Sequence, residues 1–338
     1  MRFAFVLLPS VLYAAAFSQQ TRPQTPRITL DVVVTPKNGV PVAGLRKDDF
    51  TVLDNKAGQP ILTFNALGGP EAPVEVVLVI DAVNATYEDL GYERLQIDKF
   101  LRANGGHLAH PLSLAIFTDS GTQIQQGQSN DGNALSASLD QATIGLRQIR
   151  SSAGMEGAQE QLQLSLAALE KLAARESTRP GRKIVLWVSP GWPLLSGPEM
   201  QMTPKQQQQL FSEIQGISNQ LRRGSITLYS INPLGAGQSV GALNYYEGFL
   251  KGVAKPNQVA LGDLGLQVIA VQSGGQALSA DNDVSRLLER CMADTEAYYE
   301  LSFDAPPHEH PNEYHQVEIK ISKPGLTART RTGYYSAP

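Results

Sequence analysis

The sequence predicts an α/β fold with a doubly wound, mostly parallel sheet, to which the two ends of the chain add a small β-sandwich. Between residues 74 and 296, short apolar runs alternate with amphipathic segments, which is typical of parallel strands joined by crossover helices. One of these runs, VEVVLVID at residues 74–81, is nearly all apolar, as in a strand buried on both faces. Period-two alternation marks residues 28–35 and returns at residues 298–303, which predicts half-buried strands near both ends.

Composition sets the class of protein and excludes one class of partner. The chain has 338 residues, of which 42% are hydrophobic and 18% charged, so it can bury a large core and form two domains. The formal net charge is −4, and no basic cluster is present that would bind a phosphate backbone. We therefore expect no nucleic acid partner.

The first 18 residues have the pattern of a secretory signal peptide. Arg2 gives a positive start, residues 3–17 are apolar, and small residues lead up to Ser18. The apolar stretch is short for a membrane span and contains Pro9, although retention as an anchor stays open. We expect a secreted or periplasmic protein with no stable membrane span after cleavage. Cys291 is the only cysteine, which excludes an internal disulfide and suggests a core residue.

A spacer at residues 19–26 precedes an N-terminal β segment at residues 27–70. Alternating or short apolar runs between polar turns predict its strands, which are Ile28–Thr35, Val40–Leu45, Phe50–Leu53 and Ile61–Phe64. The C-terminal β segment, residues 297–338, has similar runs at 298–303, 317–321 and 327–332. We expect the two segments to pair, since separate pieces would leave apolar faces and edges open. Two separate small β elements are the alternative.

Residues 71–296 form the predicted α/β domain. Its further strands are Leu112–Phe117, Ile184–Val188 and Ile226–Ile231, with an antiparallel edge strand at Gln123–Gly127. The predicted helices are 93–103, 131–142, 156–174, 204–223, 264–271 and 283–295. Thr203 is placed to cap the fourth helix, because Pro204 suits the first helical position.

The order of elements resembles a von Willebrand factor type A domain. The similar pieces are VEVVLVID, LSLAIFTD, KIVLWVSPG, ITLYSI and LGLQVIAVQSGGQAL. The whole chain is similar to VWFA-related proteins of the acidobacterial type, which add terminal segments like VVVTPKNGVPVAGLRKDDFTVLDN and HQVEIKISKPGLTARTRTGYY. The resemblance implies a binding protein without catalytic activity. It also implies a metal-ion-dependent adhesion site for Mg²⁺ or Mn²⁺, built from oxygen ligands.

That site is degenerate in this chain. Asp81 matches the first aspartate of the pattern, but Val83 and Ala85 occupy its two serine positions and Ser189 occupies its second aspartate. The loop at residues 151–157 has no threonine. Asn84 and Thr86 lie one residue out of register, so we expect them to point away. We therefore expect no cofactor, with Asp81 capping a helix or binding loop amides.

The predicted recognition surface is a binding rim where the carboxyl ends of the parallel strands meet. Seven residues make up this rim: Asp81, Asn84, Thr86, Thr118, Asp119, Ser189 and Trp192. Trp192 is the predicted contact residue, and a protein or envelope component is the predicted partner. Tyr245, Tyr246 and Phe249 either add a partner surface or anchor an insertion on its own domain.

Three alternatives to this interpretation remain. The first is a metal-dependent adhesin that holds Mg²⁺ or Mn²⁺ at Asp81. The second is a zinc or copper site formed by His308, His310 and His315, against a solvated loop. The third is a secreted hydrolase with Ser189 as nucleophile, for which Pro190 removes an amide that an oxyanion hole requires. The sequence favours an exported, non-enzymatic protein-binding or scaffold module.

Overall fold

The structure, a computed structural model, describes residues 26–37, 39–142, 154–193, 202–234, 244–279, 281–307 and 310–336. The predicted signal peptide at residues 1–18, nearly all of the spacer and His308 lie outside the described residues. The fold is mixed α/β, with one mostly parallel sheet and two antiparallel sheets. The coarse fold prediction is therefore confirmed.

The N-terminal segment forms four strands, which are β1 (Arg27–Pro36), β2 (Phe50–Asp54), β3 (Ala57–Gln59) and β4 (Thr63–Leu67). The strand predicted at Val40–Leu45 is wrong, because these residues are irregular. Gly44 has a φ of 79°, which a strand does not allow. The hydroxyl of Tyr299 instead accepts from the Leu45 amide at 3.0 Å and donates to the Val42 carbonyl at 2.7 Å.

Residues 74–292 then alternate between strands and helices. The strands are β5 (Val74–Asp81), β6 (His107–Thr118), β7 (Gly121–Ile124), β8 (Ser129–Asp131), β9 (Arg182–Val188), β10 (Ile226–Ile231) and β11 (Ala277–Leu278). The helices are α1 (Tyr87–Leu101), α2 (Gly132–Gln141), α3 (Gly154–Glu176), α4 (Pro204–Arg223), α5 (Leu266–Gln272) and α6 (Val284–Met292). The central sheet has the order β11-β10-β9-β5-β6-β7, and β8 also pairs with β6. Strands β7 and β8 run antiparallel to β6, so the predicted antiparallel edge is confirmed.

Two helix starts follow from local capping. Thr203 accepts from the Gln206 amide and Pro204 opens α4, as predicted. Helix α1 begins at Tyr87, six residues before its predicted start, because Thr86 accepts from the Asp89 amide at 3.2 Å. Asp89 in turn accepts from the Thr86 amide at 3.1 Å, which completes a capping box.

The C-terminal segment forms β12 (Tyr298–Asp304), β13 (Tyr314–Ile321), β14 (Leu326–Arg329) and β15 (Gly333–Tyr335). These strands complete two four-stranded antiparallel sheets with the N-terminal strands, in the orders β14-β1-β12-β4 and β15-β13-β2-β3. Each sheet therefore mixes strands from both segments. One buried cluster lies between the sheets, with Leu30 and Leu301 on one side and Val52 and Ile319 on the other.

Helices cover both faces of the central sheet. Apolar side chains of α3, α4 and α5 pack against one face, and those of α1, α2 and α6 pack against the other. Cys291, on α6, is 1% exposed and belongs to the second cluster, so its predicted core position is confirmed. Within the described residues, no helix is long and apolar enough to span a membrane.

Asp294 connects the central sheet to the sandwich. It is 3% exposed, accepts from the Tyr229 hydroxyl of β10 at 2.5 Å and pairs with Arg329 of β14. Arg182 of β9 donates to the Asp294 carbonyl at 3.0 Å, and its guanidinium lies 4.5 Å from the centre of the Tyr298 ring. Arg329 therefore compensates the buried charge, and both arginines join the two parts of the fold.

We expect Arg329→Met to lower the free energy of unfolding by about 3 kcal/mol, because it leaves the buried Asp294 carboxylate without its cation. Urea unfolding would measure the change. Arg27→Met is the matched control, since its pair with Asp304 joins half-exposed side chains and contributes less than about 1 kcal/mol. Equal losses in the two variants would contradict the proposed role of Asp294.

Candidate functional site

The candidate site lies where β9, β5 and β6 end side by side in the central sheet. Asp81 is the last residue of β5, and it pairs with Phe117 of β6. Open α/β sheets usually bind their ligands at this end, where the carboxyl ends of the strands meet. The side chain of Asp81 is nonetheless fully buried, with 0% exposure.

The Asp81 carboxylate accepts four hydrogen bonds from N–H groups of Val83, Asn84 and Trp187. Oδ1 accepts from the amides of Val83 at 3.1 Å and Asn84 at 3.0 Å. Oδ2 accepts from Asn84 Nδ2 at 2.9 Å and from the indole Nε1 of Trp187 at 3.0 Å. A carboxylate offers about four lone-pair sites. The protein's own N–H groups therefore satisfy the Asp81 carboxylate. Their positive dipoles also point at the place where a cation would bind.

Asn84 differs from its predicted orientation. We expected its side chain to point away from Asp81, but its amide bridges the Asp81 carboxylate and the Ser165 hydroxyl of α3, at 2.9 Å each. Gln161, one turn earlier on α3, donates to the Val83 carbonyl at 3.2 Å. Helix α3 thus holds the loop after β5 through two contacts, which orients Asn84 toward the carboxylate.

Two aromatic rings pack against Trp187, whose indole donates to Asp81. The Trp187 ring packs edge-on against Phe117 at 6.0 Å and against Trp192 at 5.5 Å between centroids. Trp192 is only 4% exposed, so its predicted position as an exposed contact residue is wrong. Gly191, with a φ of 111°, turns the chain back and directs the Trp192 ring into the core.

The other rim residues serve local structure. Thr86 caps α1, and the Thr118 hydroxyl lies 2.9 Å from the Ser120 hydroxyl and donates to the Gly121 carbonyl at 3.0 Å within the β6–β7 turn. Ser189 is 0% exposed, and its Oγ accepts from the Gly191 amide at 3.1 Å. Its hydrogen bond to Asp81 opposes the rise in the pKa of that carboxyl. The structure thus gathers Asp81, Asn84 and Ser189.

Glu93 was not predicted as part of this region. It lies on α1 with 0% exposure, and neither carboxylate oxygen has a hydrogen-bond partner among the described residues. Burial raises the pKa of Glu93 well above its ordinary value, and the charges of Asp81 and Asp89 act in the same direction. The spacing of Leu90, Glu93 and Ile97 places Glu93 on the apolar face of the helix, so the sequence contained this information.

Burial also raises the pKa of Asp81, although the hydrogen bonds from Trp187 and Asn84 lower it. The two carboxyl groups therefore have different environments. Asp81 has donors for its charged form, whereas Glu93 has none and is stabilised in its protonated form.

Of the alternative metal site, His310 and His315 lie within the described residues, and their environments differ. His315 is buried, with Nδ1 2.8 Å from Asp54 Oδ1 and its ring stacked on Tyr334 at 4.9 Å. The Tyr334 hydroxyl donates to the other Asp54 oxygen at 2.6 Å, so His315 belongs to the sandwich core. His310 is exposed. Across the described parts of the chain, no group of three or more His, Cys, Asp or Glu side chains is arranged to hold a metal.

The aromatic insertion is held by its own α/β unit. Phe249 packs against Gly262, where an added Cβ would lie 2.6 Å from the ring, and against Tyr245 at 5.1 Å between centroids. Tyr245 keeps 37% exposure. The anchoring alternative is therefore correct for Phe249.

No family model matches the chain, and no curated protein matches it. Similar solved structures include proximal thread matrix protein 1 from the mussel byssus, at 13% identity and a TM-score of 0.40, over 72% of this chain and 51% of that one. They also include the manganese-loaded Plasmodium vivax TRAP protein, at 12% identity and a TM-score of 0.36, over 82% of this chain and 100% of that one. A von Willebrand factor type A structure from Catenulispora acidiphila has 10% identity and a TM-score of 0.34, over 94% and 75% of the two chains. The chain spans about half the length of the mussel protein, and similarities of this size carry no functional information.

We expect Asp81→Ala to lower the free energy of unfolding by about 3 kcal/mol or more, because the Trp187 indole and the Asn84 amide lose their acceptor inside the core. Urea unfolding followed by tryptophan fluorescence would measure this loss. Asp119→Ala is the matched control at the end of the next strand, where the carboxylate is half-exposed and the expected change is within about 0.5 kcal/mol. Similar values for both variants would show that the four hydrogen bonds do not stabilise the fold.

We expect Glu93→Gln to remove a pH dependence of stability. Above its ordinary pKa of 4.5, Glu93 loses its proton in the unfolded chain but keeps it in the folded chain. The unfolded state then binds fewer protons, so the free energy of unfolding falls as the pH rises toward the folded pKa, by about 1.4 kcal/mol for each unit between the two pKa values.

Urea unfolding at about pH 5 and about pH 8 would measure this slope. Glu93→Gln should flatten it and stabilise the protein at the higher pH. Glu88→Gln, at an exposed position of the same helix, should leave the slope unchanged. An unchanged slope in Glu93→Gln would contradict the protonated state.

Proposed function

We propose that this chain is an exported, non-enzymatic protein-binding or scaffold module that recognises a protein or envelope component without a metal ion. The observation that carries the proposal is the saturation of the Asp81 carboxylate by four internal donors. Hard divalent cations require free oxygen ligands. A carboxylate with these hydrogen bonds instead serves to hold the loop after β5 in shape.

The proposed contact surface is the exposed part of the binding rim. Among the rim residues, Thr86 is exposed and Asp119 is half-exposed. Two neighbours outside the rim extend this surface, because Ser120 is exposed and Tyr87, directly after Thr86, is 73% exposed. Exposed tyrosines supply a large contact area at a small cost in conformational entropy, which suits a protein partner. Asp81, Asn84 and Ser189 support this surface from below. Trp192 has no place in the contact surface, because it is buried.

The hydrolase alternative gains no support from Ser189. Its side chain is buried, and it is engaged by the Gly191 amide and by Asp81. A nucleophile requires access to substrate and a base within hydrogen-bond distance. The arrangement around Ser189 instead stabilises the end of β9.

We expect a photo-crosslinking side chain at position 87 to form an adduct with an envelope component of the cells that make this protein. The same group at Lys320, an exposed position on β13 of the sandwich, is the matched control and should give no adduct. EDTA should leave the adduct unchanged, because no cation takes part. Gel mobility and mass spectrometry of the adduct would measure both effects.

Two results would contradict the proposal. Equal adducts from positions 87 and 320 would show that the rim is not the recognition surface. Loss of the adduct in EDTA, with recovery in Mn²⁺ that Asp81→Ala abolishes, would establish the metal-dependent adhesin instead.

A further inference from the structure

A second candidate site lies near the start of β6, at the end of the central strands opposite the binding rim. A cavity of about 330 Å³ opens there between the end of α1, the first residues of β6 and the end of α6. This volume falls within the range of small-molecule sites in proteins. The cavity is remote from the binding rim, because β6 begins at His107 and reaches the rim only at Thr118.

The cavity has an apolar body. Phe100 of α1, Leu108 of β6 and Met292 of α6 contribute to its lining. Phe100 and Leu108 are largely buried, at 6% and 9% exposure. Such a lining favours an aromatic or aliphatic group over water.

One buried polar side chain in the lining has no hydrogen-bond partner among the described residues. His110 is 1% exposed, and neither ring nitrogen has a hydrogen-bond partner among the described residues. Burial lowers the pKa of His110, which favours the neutral ring with one donor and one acceptor. Buried polar groups are nearly always hydrogen-bonded, so this ring calls for a partner that the described residues do not supply.

Two carboxylates also belong to the lining. Glu289 of α6 and Glu296, just before β12, both line the cavity and are both exposed. They give the solvent-facing side of the cavity a negative potential, which attracts a cation. The apolar lining, the His110 ring and the two carboxylates differ in position and chemistry. They therefore favour a ligand that combines an apolar body, a hydrogen-bonding group and a cation.

We propose that this cavity binds a small organic cation with an apolar body, a hydroxyl group that reaches His110 and an ammonium group that faces Glu289 and Glu296. This inference is independent of the proposed function, since none of its residues belongs to the binding rim. Tyramine is a suitable probe, because it carries a phenol hydroxyl and an ammonium at opposite ends of an aromatic ring. Phenethylamine lacks the hydroxyl, and 4-ethylphenol lacks the ammonium.

The methyl signals of the five methionines provide the readout in ¹³C NMR of the whole chain. Tyramine should shift the Met292 signal saturably, with a Kd of about 1 mM or tighter. The signal of Met155, which is 50% exposed on α3, should not move. Phenethylamine and 4-ethylphenol should each bind about tenfold more weakly, since each leaves one polar contact unmade.

Variants then assign each contact. His110→Leu should remove the preference for tyramine over phenethylamine, and Glu289→Gln combined with Glu296→Gln should remove the preference for tyramine over 4-ethylphenol. Glu318→Gln, an exposed carboxylate on β13, should change neither preference. Comparable affinity for all three probes, equal shifts of Met292 and Met155, or preferences that survive these variants would overturn the proposal.

Discussion

Strand β1 depends for all of its pairing on strands that lie near the other end of the chain. It is bordered by β14 and β12, and Arg27 faces Asp304 across 277 positions of sequence. Strand β12 also pairs with β4, so the chain enters and leaves the α/β unit at adjacent strands of one sheet. The unit is therefore fixed at both ends, and the buried charge of Asp294 adds a side-chain connection between the central sheet and the sandwich. The pairing of β12 with β1 and β4, together with the Asp294–Arg329 ion pair, holds the α/β unit and the sandwich together.

A carboxylate at the end of a central strand has two ways to satisfy its oxygens. It can share them with a cation, or it can accept hydrogen bonds from the protein. In this chain the second solution is built from distant residues, because Trp187 comes from β9 and Asn84 is held by α3. These internal hydrogen bonds hold the loop after β5 in one arrangement.

Most of the architecture was predictable from the sequence, whereas several side-chain positions were not. Apolar periodicity reports burial directly, so the central strands and most helices followed from it. The pairing of the terminal segments was expected only because separate pieces would leave apolar faces and edges open, and two separate β elements stayed an alternative. The burial of Trp192 depends on the φ of Gly191, and the orientation of Asn84 depends on Ser165, which lies 81 positions away. The contact of His315 with Asp54 spans 261 positions. Contacts of this range leave no local pattern. Glu93 and the Thr86–Asp89 capping box did leave one, and their positions could have been read from spacing alone.

The position of β1 also determines the order in which the protein can fold during synthesis. The helices and strands of the α/β unit all lie between residues 74 and 292, so this part can assemble before β12 is made. Strand β1 emerges first but must wait for almost the whole chain before β12 appears. Until then, the apolar side chains Ile28, Leu30 and Val32 lack their native cover. The nascent chain therefore carries an unpaired aggregation-prone strand, and a chaperone that holds extended segments would protect it until β12 is made.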